Sequence, residues 1–485
     1  MLYNSYIFIM LFLPVVLIGW YGLNRIKWYD TALGWLVLCS IYFYGYFNWS
    51  YLPIIISSII GNYVLSKFLQ PKVEISKLIK RVIFLIGLIG NVGVLFYYKY
   101  YDFFMENINI AFKTEIRLLN LMLPLGISFF TFQQLSYLVD AYKGKVEKYS
   151  LLEYAIFVSF FPQLIAGPIV LHDEVIPQFK DIANRRVKVE NIAKGLTAFS
   201  IGLAKKVLIA DTFAKVADYG FNNVYNLGAI NAIIVMLSYT FQIYFDFSGY
   251  CDMAVGIGKF FNIDIPINFN SPYKAKTITE FWNRWHITMT RFFTTYVYIP
   301  LGGNRKGKYR TYINVLIVFL VSGLWHGANW TFILWGVMHG VANVLTRIYK
   351  KRIESWNEVF SWLCTFIFIN ITWIFFRADS IKQAISFIKQ IIGLEIRPVL
   401  WDVKNAFVLP EIKFVLELMG KSNYTYCLWA VFLFCTLCVC LQGKNTNERL
   451  ENFKPRTLNA VICALVFIWG IISLSGVSTF LYWNF

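Results

Sequence analysis

Apolar residues run along this chain in long blocks, not in the short alternations of strands or the stripes of soluble helices. Ten runs contain no Asp, Glu, Lys or Arg: Leu2–Asn24, Thr31–Ser66, Val82–Tyr98, Leu118–Val139, Tyr154–Leu171, Phe221–Phe245, Thr311–Thr346, Phe360–Phe376, Ser422–Gly443 and Leu458–Phe485. Crossing a bilayer takes about 17–25 such residues in a helix. Thr31–Ser66 and Thr311–Thr346 are each 36 residues long, so each must hold two passes or a buried hairpin. The pattern predicts an all-α polytopic membrane protein with roughly 11–12 transmembrane helices.

Two stretches break this pattern. Ile192–Ala214 is apolar but carries Lys194, Lys205, Lys206 and Asp211, which predicts an interfacial helix. Lys259–Arg310 is too polar for lipid, yet it holds Trp282, Trp285, Tyr296 and Tyr298 among basic residues. Such backbone survives at membrane depth only inside protein or beside a water-filled cavity. It is therefore expected to be re-entrant or interfacial and to line a central tunnel.

Charge supplies an orientation. Arg25 and Lys27 precede the Thr31–Ser66 run, and Lys67, Lys72, Lys77, Lys80 and Arg81 follow it. Two passes between two basic loops put both loops on the cytoplasmic side. The Thr311–Thr346 run is bracketed in the same way by Arg305, Lys306, Lys308 and Arg310 and by Arg347, Lys350, Lys351 and Arg352. The segment Lys99–Arg117, balanced between acids and bases, is expected to be an outside loop.

Composition agrees with the pattern. Of 485 residues, 58% are apolar and only 15% charged, against roughly 25% charged in soluble domains. The net charge of +18 belongs to cytoplasmic loops, and no basic soluble module is present to bind nucleic acid. Cys435, Cys438 and Cys440 imitate a metal motif inside an uncharged run; apolar filler is the expected role. The amino terminus has neither a basic n-region nor a small-x-small cleavage site, so it reads as a first membrane helix.

Four histidines, His172, His286, His326 and His339, are the main candidates for chemistry. His326 lies about 15 residues from the nearest basic end of its run, roughly 22 Å along a helix. An ionisable group at that depth is a functional-site candidate, set against a neutral core histidine with its hydrogen bonds satisfied. His286, beside Arg284, could orient an anionic or carbonyl group or simply reach the interface. His339 follows His326 by thirteen residues, about 220° around a straight helix, so the two should not share a face. His172, next to Asp173 and Glu174, reads as an ordinary loop residue. Asp246 and Asp252 form either an ion relay or structural groups holding a broken helix. No nucleophile elbow, phosphate loop or metal-binding cluster is found.

Several motifs are more specific. Phe281-Trp-Asn-Arg-Trp-His-Ile287, Tyr298-Ile-Pro-Leu-Gly-Gly-Asn-Arg305 and Leu324-Trp-His-Gly-Ala-Asn-Trp-Thr331 occur in this order. They are accompanied by Ser159-Phe-Phe-Pro-Gln-Leu-Ile-Ala-Gly-Pro168, Asp246-Phe-Ser-Gly-Tyr250, Phe269-Asn-Ser-Pro-Tyr273 and Phe375-Phe-Arg-Ala-Asp-Ser380. The series resembles that of the membrane-bound O-acyltransferases (MBOAT), in particular the alginate O-acetyltransferase-like bacterial branch. The likeness runs from about residue 40 to Phe-Leu-Tyr-Trp-Asn-Phe485. One departure is Asn283, where Arg is common in the family; it spares the histidine.

The resemblance implies a single membrane domain over 1–485, with N-terminal helices to 190, a catalytic core over 191–346 and C-terminal helices over 347–485. It implies an O-acetyltransferase of the bacterial plasma membrane that passes an acetyl group to an exported polysaccharide such as alginate or peptidoglycan. His326 maps to the family's essential histidine and His286 to its second one. Trp282, Arg284, Trp285, Trp325, Asn329 and Asp246 are expected to line the substrate tunnel. No metal or resident cofactor is implied. Acetyl-CoA is the implied donor, with basic loops suited to its phosphates, and a lipase-like (SGNH-type) extracytoplasmic acetyltransferase is the implied partner. Two other readings stay open: a D-alanyl transferase fed by an acyl-carrier protein, and a transporter, although the inverted repeats common in transporters are not evident.

Overall fold

The computed structural model describes residues 1–409, 411, 413, 414, 418 and 425–475. Among them the secondary structure is helical, with one isolated antiparallel bridge between Phe269 and Trp285. Five helices are long and apolar enough to cross a membrane: Phe8–Arg25, Trp49–Leu69, Lys77–Phe112, Gly228–Phe260 and Glu358–Arg377. Others are shorter, such as Cys427–Gln442 and Thr457–Ile472, which occupy the last two apolar runs. The protein is an all-α polytopic membrane protein. The C-terminal Phe-Leu-Tyr-Trp-Asn-Phe485 motif lies outside the described residues.

Both 36-residue runs are helical pairs. Thr31–Ser66 becomes helices Tyr29–Gly45 and Leu52–Leu69, with Asn48 accepting from the Ser50 N–H at 2.9 Å in the turn between them. Thr311–Thr346 becomes helices Lys308–His326 and Trp330–Ile348.

Elsewhere apolarity misleads. In the Leu118–Val139 run the helix begins only at Ile127, because Pro124 precedes the left-handed Gly126 (φ +67°). Tyr154–Leu171 is broken into helices Leu151–Ser159 and Phe161–Leu164, as Pro162 and Pro168 dictate. The expected outside loop Lys99–Arg117 is helical as far as Phe112. The Asp246–Asp252 region belongs to one continuous helix, Gly228–Phe260, and is not a broken one.

The chain divides into two compact units. The first comprises Met1–Ser200, Tyr250–Ile267 and Thr294–Tyr296; the second comprises Ile201–Gly249, Asn268–Phe293 and Val297–Phe485. Within the first, buried amides tie three helices together: Asn62 donates to Gln134 Oε1 at 2.7 Å, and Asn91 donates to Asn62 Oδ1 at 2.6 Å. Interhelical hydrogen bonds of this kind replace the hydrophobic drive that lipid removes.

Within the second unit, the histidine hairpin is closed by glycine. A Cβ on Gly323 would overlap the Phe332 carbonyl oxygen, and one on Gly336 would overlap that of Phe319. Small residues at a helix crossing permit this backbone approach. It brings the His326 end of one helix against the Trp335 turn of the other.

The basic flanks of the two hairpins predict that Arg25–Lys27, Lys67–Arg81, Arg305–Arg310 and Arg347–Arg352 all face the cytoplasm. Single cysteines placed in each loop should be shielded from an impermeant thiol reagent in whole cells and labelled after permeabilisation. Labelling of any one of them in intact cells would overturn that orientation.

Candidate functional site

The stretch 261–307 contains no long helix. An extended segment is followed by short helices Ile278–Arg284 and Ile287–Phe293 and a wide turn, Thr294–Tyr298. Thr277 starts the first by accepting from the Glu280 N–H at 3.1 Å. His286 sits between the two helices at φ +46°, a left-handed conformation that costs a side-chain-bearing residue and persists only where its surroundings impose it. The surroundings are a backbone clamp. Asn270 N–H donates to Arg284 O at 2.9 Å and Ile287 N–H to Asn268 O at 3.0 Å, on either side of the Phe269–Trp285 bridge.

The clamp holds His286 fully buried. Its Nδ1 lies 3.1 Å from Asn268 Oδ1, while Nε2 has no hydrogen-bond partner among the described residues. Burial holds this imidazole down at about 3, so the ring is neutral, with one N–H and one lone pair.

His326 closes its helix and is also buried. The two imidazole centroids are 6.5 Å apart. Aromatic rings pack around His326: Trp325 at 4.9 Å, Trp335 at 5.1 Å and Phe376 at 5.1 Å. Trp325 also lies 6.0 Å from His286, and Phe247 meets that ring edge-on at 4.9 Å. The result is two buried imidazoles side by side in one aromatic surround.

His339 is closer to this pocket than a straight helix allows. The chain breaks at Gly327–Asn329, which removes the premise of the 220° estimate, and the Trp335 ring lies 4.8 Å from His339. Both nitrogens of His339 are engaged. Trp282 Nε1 donates to Nδ1 at 3.1 Å, and Nε2 lies 3.0 Å from Thr372 Oγ1, whose own proton goes to Ile369 O. His339 is a satisfied core histidine and Trp282 is its donor.

The other tunnel candidates divide. Trp325 is buried against both histidines, whereas Trp285, buried and next to His286 in the chain, packs on Trp373 at 5.0 Å. Arg284 pairs with Glu280 at 2.9 Å and donates to Asn270 O at 3.1 Å, bracing the clamp from its outer side. Asn329 caps a helix, accepting from Thr331 N–H at 3.0 Å and donating to Asp379 O; its amide is committed to the turn. Asp246 is buried and takes Lys206 Nζ at 2.7 Å, and Lys206 also reaches Asp211 at 2.8 Å. Lys206 and Asp211 therefore do not sit at an interface as the sequence suggested. A widened turn at Lys205–Ala210, with Asp211 N–H bonded to Lys206 O, brings residues five apart to one side.

His172 is no loop residue. It opens helix His172–Lys180, is buried, and sits 3.6 Å from Asp140 Oδ2, which also accepts from Tyr296 OH at 2.6 Å. Sequence reading missed this pair, together with Asn268, Trp335 and Phe376 around the two histidines. Asn268 stands immediately before a motif already singled out, which was the available signal.

Fold and site together define a class, that of all-helical membrane proteins with two imidazoles buried side by side among aromatic rings. The model of the membrane-bound O-acyltransferase family matches residues 91–381, and the chain belongs to that family; it is an acyltransferase. It is 41% identical to the peptidoglycan O-acetyltransferase of Helicobacter pylori, over 100% of this chain and 98% of that protein. It is 36% identical to the probable alginate O-acetylase AlgI of Pseudomonas aeruginosa, over 79% of this chain and 73% of that protein. Similarity to the teichoic acid D-alanyltransferase of Streptococcus thermophilus is 29% over 48% of this chain and 59% of that protein.

The His172–Asp140 contact predicts that His172→Ala destabilises the protein by about 1–3 kcal/mol, since it strips a buried carboxylate of a partner. Thermal unfolding in detergent should show the loss as a lowered Tm. An unchanged Tm would show that the Asp140 contact adds nothing to stability.

Proposed function

We propose that this protein is a membrane-bound O-acetyltransferase of the bacterial plasma membrane, passing acetyl from cytosolic acetyl-CoA to an exported peptidoglycan glycan. The observation that carries the reading is the pair of buried imidazoles, His286 and His326, 6.5 Å apart and walled by aromatic rings. Full-length likeness to a peptidoglycan O-acetyltransferase supports that acceptor over alginate, where the likeness stops at 79% of this chain.

The chemistry suits the pocket. A hydroxyl has a pKa far above 7 and attacks a thioester slowly, so a base must take its proton in the transition state. An imidazole with an ordinary pKa near 6.5 is the side chain fitted to that task. His326 is assigned as this base. The attacking hydroxyl, taken to be that of the extracytoplasmic partner, forms the new ester bond, the carbon–sulfur bond breaks, and the proton held by imidazole passes to the leaving thiolate. An apolar pocket also keeps water from consuming the thioester. The basic loops Arg305–Arg310 and Arg347–Arg352 suit the phosphates of CoA. That partner, a lipase-like extracytoplasmic protein, then passes the acetyl to a glycan hydroxyl by transesterification, which regenerates its own hydroxyl.

The test is transfer of radiolabelled acetyl from acetyl-CoA by the protein reconstituted in liposomes, with and without that partner. His326→Ala should lower the rate by roughly 10²–10⁴ while leaving insertion intact. His326→Gln keeps a hydrogen-bonding amide but cannot take a proton at neutral pH, so it should be equally impaired. Near-wild-type transfer by a folded His326→Gln protein would remove the catalytic assignment. Transfer from a D-alanyl carrier and not from acetyl-CoA would assign the chain to the other donor.

A further inference from the structure

We infer that Asn268 is a positioning residue that locks His286 in the Nδ1–H tautomer, so that its buried Nε2 serves the acyl-transfer site as a proton acceptor and not as a donor. The inference rests on the catalytic reading of His286 proposed above and deepens it by giving one ring nitrogen a defined role.

The assignment follows from a backbone amide. The oxygen and nitrogen of an asparagine side chain have nearly the same shape, as do the two tautomers of histidine, and the surrounding hydrogen bonds decide both. Here the deciding group is Thr288 N–H, which lies 3.2 Å from Asn268 Oδ1. A backbone N–H can only donate, so the amide atom facing it must be the oxygen. Thr288 Oγ1 sits 3.0 Å from the same atom and donates to it as well. His286 Nδ1, 3.1 Å from that oxygen, faces a pure acceptor and must carry the hydrogen. A neutral imidazole has one N–H; with the hydrogen on Nδ1, Nε2 is left as a lone pair.

The surroundings keep this arrangement in place. Asn268 O accepts from Ile287 N–H, so Asn268 is fastened by its backbone on one side of His286 and by its side chain on the other. The left-handed His286 backbone turns the ring into that oxygen. Nε2 is fully buried and has no hydrogen-bond partner among the described residues, in a pocket it shares with His326. His339 shows the contrast within the same unit: both of its nitrogens are taken up by Trp282 and Thr372. A lone-pair nitrogen beside the reacting centre recognises a donor, here the hydroxyl or thiol proton of a substrate. It cannot donate to the carbonyl oxygen of the acyl group.

The experiment has a spectroscopic and a kinetic arm. Protein labelled with ¹³C and ¹⁵N at histidine alone, in lipid, offers only four residues, and His286→Ala identifies the signal by removing it. Solid-state NMR should find His286 neutral with the proton on Nδ1. Asn268→Leu, similar in volume but without an acceptor, should lose that signature and lower kcat for acetyl transfer by roughly 10–100-fold, the usual cost of removing an orienting partner, with KM within about twofold. Asn268→Asp keeps an oxygen for the same three donors and should restore both the tautomer and most of kcat, which separates positioning from folding. An Nε2–H signal in the wild type would overturn the inference, and so would full kcat in Asn268→Leu. Equal losses in folded Leu and Asp variants would also overturn it. If wild-type protein transfers nothing from acetyl-CoA while the tautomer still switches in Asn268→Leu, the donor reading fails and the tautomer assignment stands.

Discussion

Backbone that leaves the helix inside a membrane protein must find partners for its N–H and C=O groups within the protein, because lipid supplies none. Residues 261–287 answer that constraint with the clamp across Phe269 and Trp285. Two backbone hydrogen bonds flank the bridge, Arg284 ties its outer edge to Asn270, and the left-handed turn at His286 is what remains between them. The imidazole is thus placed by a requirement of the backbone before any chemistry is asked of it. Removing the clamp would expose several unsatisfied polar groups at once, so the position of His286 is over-determined.

The four histidines show how environment divides one residue type into different roles. His172 is a structural partner for a buried carboxylate. His339 has both nitrogens engaged and holds Trp282 and Thr372 in place. His286 keeps one nitrogen open in the pocket that it shares with His326. Sequence position alone does not assign these roles: His326 and His339 share one apolar run, His172 borders another, and His286 lies in the polar stretch between runs. What separates them is whether a donor or an acceptor stands at each ring nitrogen, and that depends on residues distant in the chain: Asn268, Thr372 and Asp140.

The helices were legible wherever the bilayer itself dictates the pattern. A 36-residue uncharged run must hold two passes or a buried hairpin, and both runs of that kind are helical pairs. Legibility failed where apolar residues are buried in protein instead of lipid. Ile165–Leu171 is as apolar as a span but irregular, because proline breaks the helix and neighbouring protein receives the side chains of Ile165, Ala166, Ile169 and Val170. The motifs located His286 and His326, yet the amide that orients one of them went unremarked beside a quoted motif. Lys206 and Asp211 read as interfacial because charges in an apolar run suggest contact with water, whereas the widened turn brings residues five apart together and buries them as an ion pair.

Polar side chains near the two imidazoles are largely spent on architecture. Arg284 braces the clamp, Asn329 caps a helix, Trp282 serves His339, and Lys206 lies between Asp211 and Asp246. Aromatic rings make up much of what faces the histidines. In such a low-dielectric pocket a hydrogen bond or partial charge is stronger than in water, so few groups are needed and each must be placed well. Under the proposed reaction, extra donors would stabilise the resting imidazoles and would also attract water, which competes for a thioester. Two rings buried among aromatic side chains, with Nε2 of His286 unpartnered among the described residues, suit a reaction that needs a proton acceptor and must exclude a competing nucleophile.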